Sequence, residues 1–138
     1  MPGPMDGVRV IELGVWVAGP AAGGILADWG ADVVKIEPPG LGDPARSFSK
    51  MLGADLPFNP PFEMDNRNKR SLCLDLTTDE GRGVADALLA EADVFLTNIR
   101  PAALARTRPT DQGLPHSCQG SRAPAGDRAV QVPVLGGT

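Results

Sequence analysis

The chain has 138 residues, 42% of them hydrophobic, and it carries a formal net charge of -4. That length and apolar content suit a domain with a buried core. The acidic balance excludes a general electrostatic binder of nucleic acid, because phosphate backbones are held by clustered Lys and Arg.

The cysteines and the single histidine give no metal or catalytic pattern. Cys73 and Cys118 lie far apart, and the sequence shows neither a charged-then-apolar leader nor a long uncharged apolar run. We therefore expect a cytoplasmic protein with reduced thiols and no membrane segment. Cys73 lies between two leucines and is expected to be a buried, inert thiol. His116 stands in a polar coil, so no Cys/His metal site or catalytic triad can be assembled.

The strongest structural pattern lies between residues 8 and 37. A β-branched run at 8–13 predicts a strand, residues 21–29 predict a helix, and residues 32–37 predict a second apolar strand. A strand, a helix and a strand joined this tightly favour a parallel, right-handed βαβ crossover. Ligands bind such units at the carboxyl ends of the strands.

The ends of that first helix are marked by proline and glycine. Pro20 suits the first helical turn, where its missing N–H costs nothing, and Gly30 can take the left-handed conformation that ends a helix. The spacing places three large apolar residues on one helical face: Ile25, Leu26 and Trp29.

Residues 38–66 are rich in Gly and Pro and show no sustained helical or strand period. We expect a long loop there. Loops of such length in compact domains are usually functional or disordered, so this one is a candidate for ligand or partner contact.

A second crossover follows. Residues 71–76 and 93–98 predict strands, and the capping-box spacing from Thr77 to Glu80 predicts the start of a helix between them. Its expected buried face consists of Val84, Leu88 and Leu89. Pro101 can open a last helix over residues 102–106.

The character of the chain changes after Arg106. Residues 107–138 are dense in Pro, Gly, Ser, Arg and Gln, and only residues 130–135 could form a strand. We therefore divide the chain into a portion of parallel βαβ units at 1–106 and a weakly ordered tail at 107–138.

Three glycines invite a phosphate-binding interpretation. Gly14, Gly19 and Gly23 do not make the G-x-G-x-x-G fingerprint of dinucleotide sites, and Pro20 and Ala21 stand where a P-loop needs Lys and Ser or Thr. Two interpretations stay open: a helix start whose free N–H groups hold an anion or a carbonyl, and a purely structural turn.

Polar residues at strand ends leave further alternatives. Glu37 ends a strand where dinucleotide enzymes place a ribose-binding carboxylate, and Lys35 would offer a cation. Without a fingerprint, we favour polar ends of a buried strand. Asn98 ends the predicted fourth strand and Arg100 lies just beyond it, where an amide and a guanidinium could meet a phosphate, although Arg100 could equally be a surface charge.

A small basic cluster precedes the third strand. It comprises Arg67, Lys69 and Arg70 around Asn68, and Arg46 lies in the preceding long loop. Clusters of this size are usually solvated faces. Their proximity to strand ends leaves an anionic small ligand as the alternative.

The sequence resembles the class III CoA-transferases, a family that includes formyl-CoA transferase, carnitine-CoA transferase and α-methylacyl-CoA racemase relatives. The likeness covers about residues 5–106 and ends at Arg106. Six segments carry it: 5–13, 18–20, 26–39, 42–46, 68–76 and 92–106.

The resemblance implies a Rossmann-like, parallel α/β start of a much longer chain that forms an interlocked homodimer and binds CoA rather than NAD. Two positions depart from the family pattern: Pro38 stands where some relatives carry Arg near the adenine, and Thr77 stands where some carry Lys. The residues that fall where relatives contact CoA are Trp16, Val17, Ala18, Leu74, Asn98, Ile99 and Arg106.

The resemblance further implies an acyl-CoA transferase that moves CoA between carboxylic acids through an aspartyl-CoA intermediate. The CoA thioester is then a substrate, with no covalently bound cofactor and no metal. The family's nucleophilic aspartate lies downstream of everything matched, so we assign no catalytic residue, not even Asp111, His116 or Asp127. Alternatives are a fragment of a racemase and a non-enzymatic CoA-binding or interaction module.

The abrupt change after Arg106 has its own hypothesis. In relatives a leucine-containing helix and another apolar strand follow, whereas here the composition is what a GC-rich gene read in the wrong frame tends to produce. We expect a frameshift or a misassigned gene end. A natural divergent tail is the alternative.

Overall fold

Parallel strands form the centre of the molecule. The computed structural model describes residues 2–104 and 128–131, and among these residues five strands make one sheet in the order β3-β2-β1-β4-β5, with every pair parallel. The strands are β1 (Arg9–Leu13), β2 (Asp32–Glu37), β3 (Arg70–Cys73), β4 (Val94–Thr97) and β5 (Arg128–Gln131). The expected Rossmann-like α/β class is confirmed.

Helices connect the strands. They are α1 (Ala18–Asp28), α2 (Phe48–Met51), α3 (Pro60–Asn66), α4 (Asp79–Ala90) and α5 (Pro101–Leu104), with a 3-10 turn at Pro44–Ser47. The first helix begins three residues before the predicted start, and Pro20 lies in its first turn as expected. Gly30 ends it with a φ of 100°, which is the predicted left-handed conformation.

The core lies on both faces of the sheet, because successive strand residues point to opposite sides. On the α1 face, buried Val10, Val33 and Leu96 pack with Ala27. On the α4 face, Ile11 is fully buried and packs with a cluster of aliphatic residues: Val34, Ile36 and Ala85.

The predicted apolar face of α1 is not the face that α1 buries. Ile25 is 45% exposed and Trp29 is 51% exposed, whereas Leu26 packs partly against the core. The buried residues are small: Gly19, Pro20, Gly23, Gly24 and Ala27. A Cβ added at Gly24 would lie 2.9 Å from the backbone oxygen of Asp65 in α3, so close helix packing selects small residues here.

The expected long loop at 38–66 contains structure, so that prediction is wrong. Asn59 caps α3 by accepting a hydrogen bond from the Phe62 amide, and Pro60 and Pro61 occupy the first two helical positions. Elements of four to seven residues are too short to show a helical period, which is why the sequence pattern missed them.

The start of α4 differs from the capping-box prediction by one residue. Thr78 is the N-cap, and its Oγ1 accepts the Gly81 amide at 3.1 Å. Thr77 instead donates its backbone N–H and its hydroxyl to Asp75.

The buried face of α4 is also narrower than predicted. Val84 is 45% exposed, and the neighbouring Ala85 is buried against the sheet. Leu88 and Leu89 pack partly against the same cluster, so two of the three expected residues contribute.

The prediction of a buried Cys73 is wrong, because this thiol is exposed. Strand β3 is the edge of the sheet, and only its alternate residue Leu72 packs against the core. The flanking leucines indicated a strand but not its position in the sheet.

The remaining predictions for the C-terminal part fall largely outside the described residues. Within 107–138, residues 128–131 form β5, which overlaps the start of the strand expected at 130–135. The end of the last helix at Arg106 and the rest of the expected tail, with Cys118 and His116, lie outside the described residues. Across residues 2–104 and 128–131, no helix has the length and apolarity needed to cross a membrane.

Candidate functional site

The strand order reverses between β1 and β4. The chain runs from β1 outward to β2 and β3 on one side, then returns to β4 on the other side of β1. A crevice forms outside the carboxyl ends of parallel strands at such a switch point, and ligands bind there in doubly wound folds. We call this place, between the residues that follow Leu13 and those that follow Thr97, the switch-point crevice.

The predicted site residues near Trp16 and Asn98 meet at this crevice. The Asn98 Oδ1 accepts the Val15 amide at 2.9 Å, and its Nδ2 donates to the Val15 carbonyl at 2.8 Å. A Cβ added at Gly19 would lie 3.1 Å from that Oδ1. Asn98 therefore uses both ends of its amide to hold the turn between β1 and α1, residues 14–17, which we call the β1–α1 turn.

Thr97 adds a second link that the sequence did not indicate. Its hydroxyl donates to the Leu13 carbonyl at 2.7 Å and accepts the Ile99 amide at 3.1 Å. The backbone after β4 is thereby fixed to the end of β1, and half-buried Ile99 stands at the crevice.

Trp16 adopts an unusual backbone conformation in the β1–α1 turn. Its φ is 63°, in the left-handed region that bulky residues avoid. Its amide donates to Asp43 at 3.0 Å, and its ring meets the edge of Phe48 with centroids 6.4 Å apart. The side chain remains 40% exposed, and neighbouring Val17 is 60% exposed. An apolar surface held in a strained turn therefore faces outward beside the crevice.

The N-terminus of α1 opens at the same place. The helix begins at Ala18, and no side chain caps it. The first N–H groups of a helix lack intrahelical partners, and with the helix dipole they favour an anion. Of the two interpretations of the glycine turn, this geometry is compatible with both.

Leu74 lies farther along the same edge of the sheet. It follows β3, donates its amide to the Glu37 carbonyl at 3.0 Å, and packs half-buried on the α4 face. Arg106 lies outside the described residues.

Four charged side chains lie buried beneath the β1–α1 turn, and we call them the buried quartet. Lys35 contacts Glu12 Oε1 and Asp43 Oδ2, both at 2.9 Å, and Lys69 contacts Glu12 Oε2 at 2.8 Å. All four side chains are at most 2% exposed. Two cations balance two carboxylates, as buried charges require.

This arrangement corrects the interpretations of Lys35 and Lys69. Lys35 is neither a ligand cation nor a solvated strand end, and Lys69 is not part of a solvated basic face. Burial, followed by the nearby Lys35, lowers the pKa of Lys69 against the opposing effect of Glu12. Glu12 was missed because a single carboxylate in a strand gives no sign of its partners.

Three members of the quartet form hydrogen bonds with backbone groups around the crevice. Lys35 donates to the Gly14 carbonyl at 2.9 Å, and Lys69 donates to the Pro20 carbonyl at 2.7 Å. Asp43 accepts the Trp16 amide. The charges therefore fix the turn and the first turn of α1 from below.

Both carboxylate oxygens of Glu37 already accept hydrogen bonds within the protein, which disfavours a ribose-binding role. Its Oε2 accepts Arg46 Nε at 2.7 Å and the Asp43 amide at 2.8 Å, and its Oε1 accepts Arg46 Nη2 at 2.7 Å. Arg46 also lies 4.1 Å above the Phe62 ring centroid. Burial alone would raise the pKa of Glu37, but the bonds from Arg46 and Asp43 outweigh it and leave that pKa lowered.

The other members of the basic cluster are paired on the surface. Arg67 Nε donates to Asp28 at 2.9 Å, and Arg70 bonds both carboxylate oxygens of Asp32, at 2.8 and 2.6 Å. The bond from Arg67 is the main reason that the pKa of Asp28 is lowered. Among the described residues, no group of three His, Cys, Asp or Glu side chains is placed to hold a metal ion.

Comparison with known families decides the classification. The sequence model of CoA-transferase family III matches residues 5–116, most of the chain. The chain belongs to CoA-transferase family III. The resemblance drawn from the sequence is confirmed, and the family match extends beyond Arg106, where we expected it to end.

Curated members of CoA-transferase family III are similar over the same part. The chain is 44% identical over 103 residues to a succinyl-CoA–D-citramalate CoA-transferase from Chloroflexus aurantiacus, covering 75% of this chain and 25% of that protein. It is 43% identical over 103 residues to a cinnamoyl-CoA:phenyllactate CoA-transferase from Clostridium sporogenes, covering 73% and 25%. The chain thus spans about a quarter of the length of these curated relatives.

Solved structures agree in fold. A hypothetical protein from Mycobacterium tuberculosis superposes with a TM-score of 0.74 at 33% identity, over 98% of this chain and 35% of that one. A CAIB/BAIF family protein from Brucella suis gives a TM-score of 0.68 at 38% identity, over 78% and 29%.

Proposed function

We propose that this chain supplies the CoA-binding portion of an acyl-CoA transferase, with the CoA thioester bound as a substrate at the switch-point crevice. The observation that carries the proposal is the uncapped N-terminus of α1 beside that crevice, in a member of CoA-transferase family III. The exposed residues Trp16 and Val17 offer an apolar surface for the adenine or pantetheine part, and the helix N–H groups suit a phosphate.

The arrangement at Glu37 favours CoA over NAD. A dinucleotide enzyme uses a free carboxylate at this strand end to bind the ribose hydroxyls. Here Arg46 and a backbone amide occupy both oxygens of Glu37. NAD would therefore have to displace the charge-assisted pair between buried Glu37 and exposed Arg46.

The proposed reaction moves CoA between carboxylic acids through an aspartyl-CoA intermediate. The aspartate would come from outside the matched quarter of the family, so we propose that this chain alone binds CoA without transferring it. Curated relatives are named as CoA-transferases, which favours a transferase over a racemase. The full-length protein is proposed to form the interlocked homodimer that the resemblance implies.

Calorimetric titration with CoA and with NAD tests the binding. Ala18→Asp places a negative charge at the first position of α1, which suits the helix dipole but repels a phosphate, and should weaken CoA binding about tenfold or more. Ala87→Asp, on the exposed side of α4, is the control with the same charge change and should leave affinity unchanged. Tighter binding of NAD than of CoA would contradict the proposal.

A further inference from the structure

The loop after β2 reaches over to the β1–α1 turn through a single buried side chain. Asp43 is 1% exposed, although it belongs to a loop, and its Oδ1 accepts both the Trp16 amide at 3.0 Å and the Ala45 amide at 2.9 Å. Its Oδ2 faces Lys35 Nζ at 2.9 Å. One carboxylate therefore joins the turn, the 3-10 turn and the sheet.

The turn that Asp43 holds is strained. Trp16 has a left-handed φ of 63°, a conformation that is sterically unfavourable for a bulky residue. Such conformations persist only where the surroundings impose them, and they cluster at ligand sites. The surroundings that impose this one are the Asp43 bond to Trp16 and the Asn98 bonds to Val15.

Lys35 makes the arrangement possible. An isolated carboxylate buried to this extent would be costly, and Lys35 neutralises it while also donating to the Gly14 carbonyl. The remaining two members of the quartet, Glu12 and Lys69, form a neutral pair of their own. The Lys35–Asp43 pair can therefore be replaced without leaving an unbalanced charge.

We propose that Asp43 is a positioning residue, which holds the β1–α1 turn, and with it Trp16 and the start of α1, in the form that binds ligand. Lys35 is its buried counterion. The proposal rests on the proposed CoA site for its effect on affinity. Its effect on the turn is independent of any ligand.

Two charge-balanced variants separate this role from general stability. Lys35→Met with Asp43→Ala removes the acceptor for the Trp16 amide, whereas Lys35→Met with Asp43→Asn keeps an oxygen acceptor at the same place. Val33→Ala is the control, since it opens a cavity on the same strand and the same face as Lys35, where Val33 packs in the apolar cluster with Val10, Ala27 and Leu96. Circular dichroism first checks that all three variants are folded.

The first readout is amide hydrogen exchange by NMR without ligand. In Lys35→Met/Asp43→Ala, exchange at Trp16 should speed up about tenfold, the equivalent of one lost hydrogen bond, while the sheet amides of Ile11 and Val34 stay protected. The Asp43→Asn version should recover most of the Trp16 protection. Val33→Ala should change the exchange rate of the Trp16 amide no more than it changes the exchange rates of the sheet amides.

The second readout is the affinity for CoA by calorimetry. The affinity should fall in Lys35→Met/Asp43→Ala and should recover in large part in Lys35→Met/Asp43→Asn. Unchanged Trp16 protection in the Asp43→Ala version, or no recovery in the Asp43→Asn version, would overturn the positioning role. A wild-type chain that binds no CoA overturns the proposed function, and the ligand-free exchange data then still decide whether Asp43 holds the turn.

Discussion

At the scale of single residues, the backbone strain at Trp16 can be tested directly. Its left-handed φ of 63° carries a steric cost for any side chain with a Cβ, but none for glycine. We expect Trp16→Gly to be more stable than Trp16→Ala by about 1 kcal/mol, because both lose the same ring and only alanine retains the strain. Urea unfolding of the two variants measures the difference, and a more stable alanine variant would rule out strain at this position.

Glu37 predicts a dependence of stability on pH. Its pKa is lowered in the folded protein, so its contribution is fully present above the unfolded value near 4.5 and is lost as the pH falls through the lower folded value. Glu37→Gln should therefore cost about 2 kcal/mol at neutral pH, and this cost should shrink on acidification.

Glu91→Gln provides the matched control for that experiment. Glu91 also pairs with an arginine, Arg9, but its side chain is 73% exposed. An exposed pair contributes little, so the substitution should change the free energy of unfolding by less than about 0.5 kcal/mol at any pH. If Glu37→Gln and Glu91→Gln changed the free energy of unfolding equally, burial of Glu37 would not strengthen its ion pair.

Sequence reasoning indicated Trp16 in the turn and Asn98, which holds the turn, but not the charged residues that hold it from below. Asn98 directly follows the apolar strand β4, so its place at the carboxyl edge could be predicted from the strand pattern. Trp16 lies three residues after β1 and was indicated by the family resemblance. Glu12, Lys35 and Asp43 could not be paired, because their contacts depend on which strands are neighbours and on how the loop after β2 folds back.

At the scale of elements, the glycines of α1 allow neighbouring groups to pack closely against this helix. A Cβ at Gly23 would lie 2.0 Å from Glu12 Oε2, within a buried ion pair that cannot move freely. Gly23→Ala should therefore destabilise the protein by about 3 kcal/mol.

Gly83 in α4 is the opposite case, because a Cβ there meets nothing within 4 Å. Gly83→Ala should stabilise by about 0.5–1 kcal/mol through helix propensity alone. Thermal or urea unfolding compares the two substitutions. Similar effects at Gly23 and Gly83 would contradict the packing role.

The same elements show what local patterns can reveal. The strand at Asp32–Glu37 was predicted to the residue, because a β-branched run lies between turn-forming Gly and Pro. The buried face of α1 was predicted wrongly, because large apolar residues were expected inward while close approach to α3 requires small ones. Helix spacing specifies which residues share a face but not which face is covered.

At the scale of the whole molecule, many large apolar side chains are exposed. Several belong to the segment after β2 and to α3, and each is at least 48% exposed: Leu41, Met51, Leu52, Leu56, Phe58 and Met64. Exposed apolar surface of this kind marks an interaction surface or a liability for association. We expect weak independent stability and binding of a hydrophobic dye.

Leu52→Lys combined with Phe58→Lys should lower that dye binding without changing the circular dichroism spectrum, because both side chains already face solvent. Arg9→Ala, at an exposed ion pair, is the control and should leave the dye signal unchanged. A monomeric chain with a cooperative, high-temperature melt and no dye binding would contradict this expectation.

The central claim is that CoA binds at the switch-point crevice, and NMR titration of the 138-residue chain with CoA tests it most directly. The amide shifts should concentrate in residues 14–19 and 97–100, with weaker changes near Leu74, and NAD at equal concentration should produce smaller shifts. Shifts confined to the α4 side of the sheet, or a stronger response to NAD, would contradict the account.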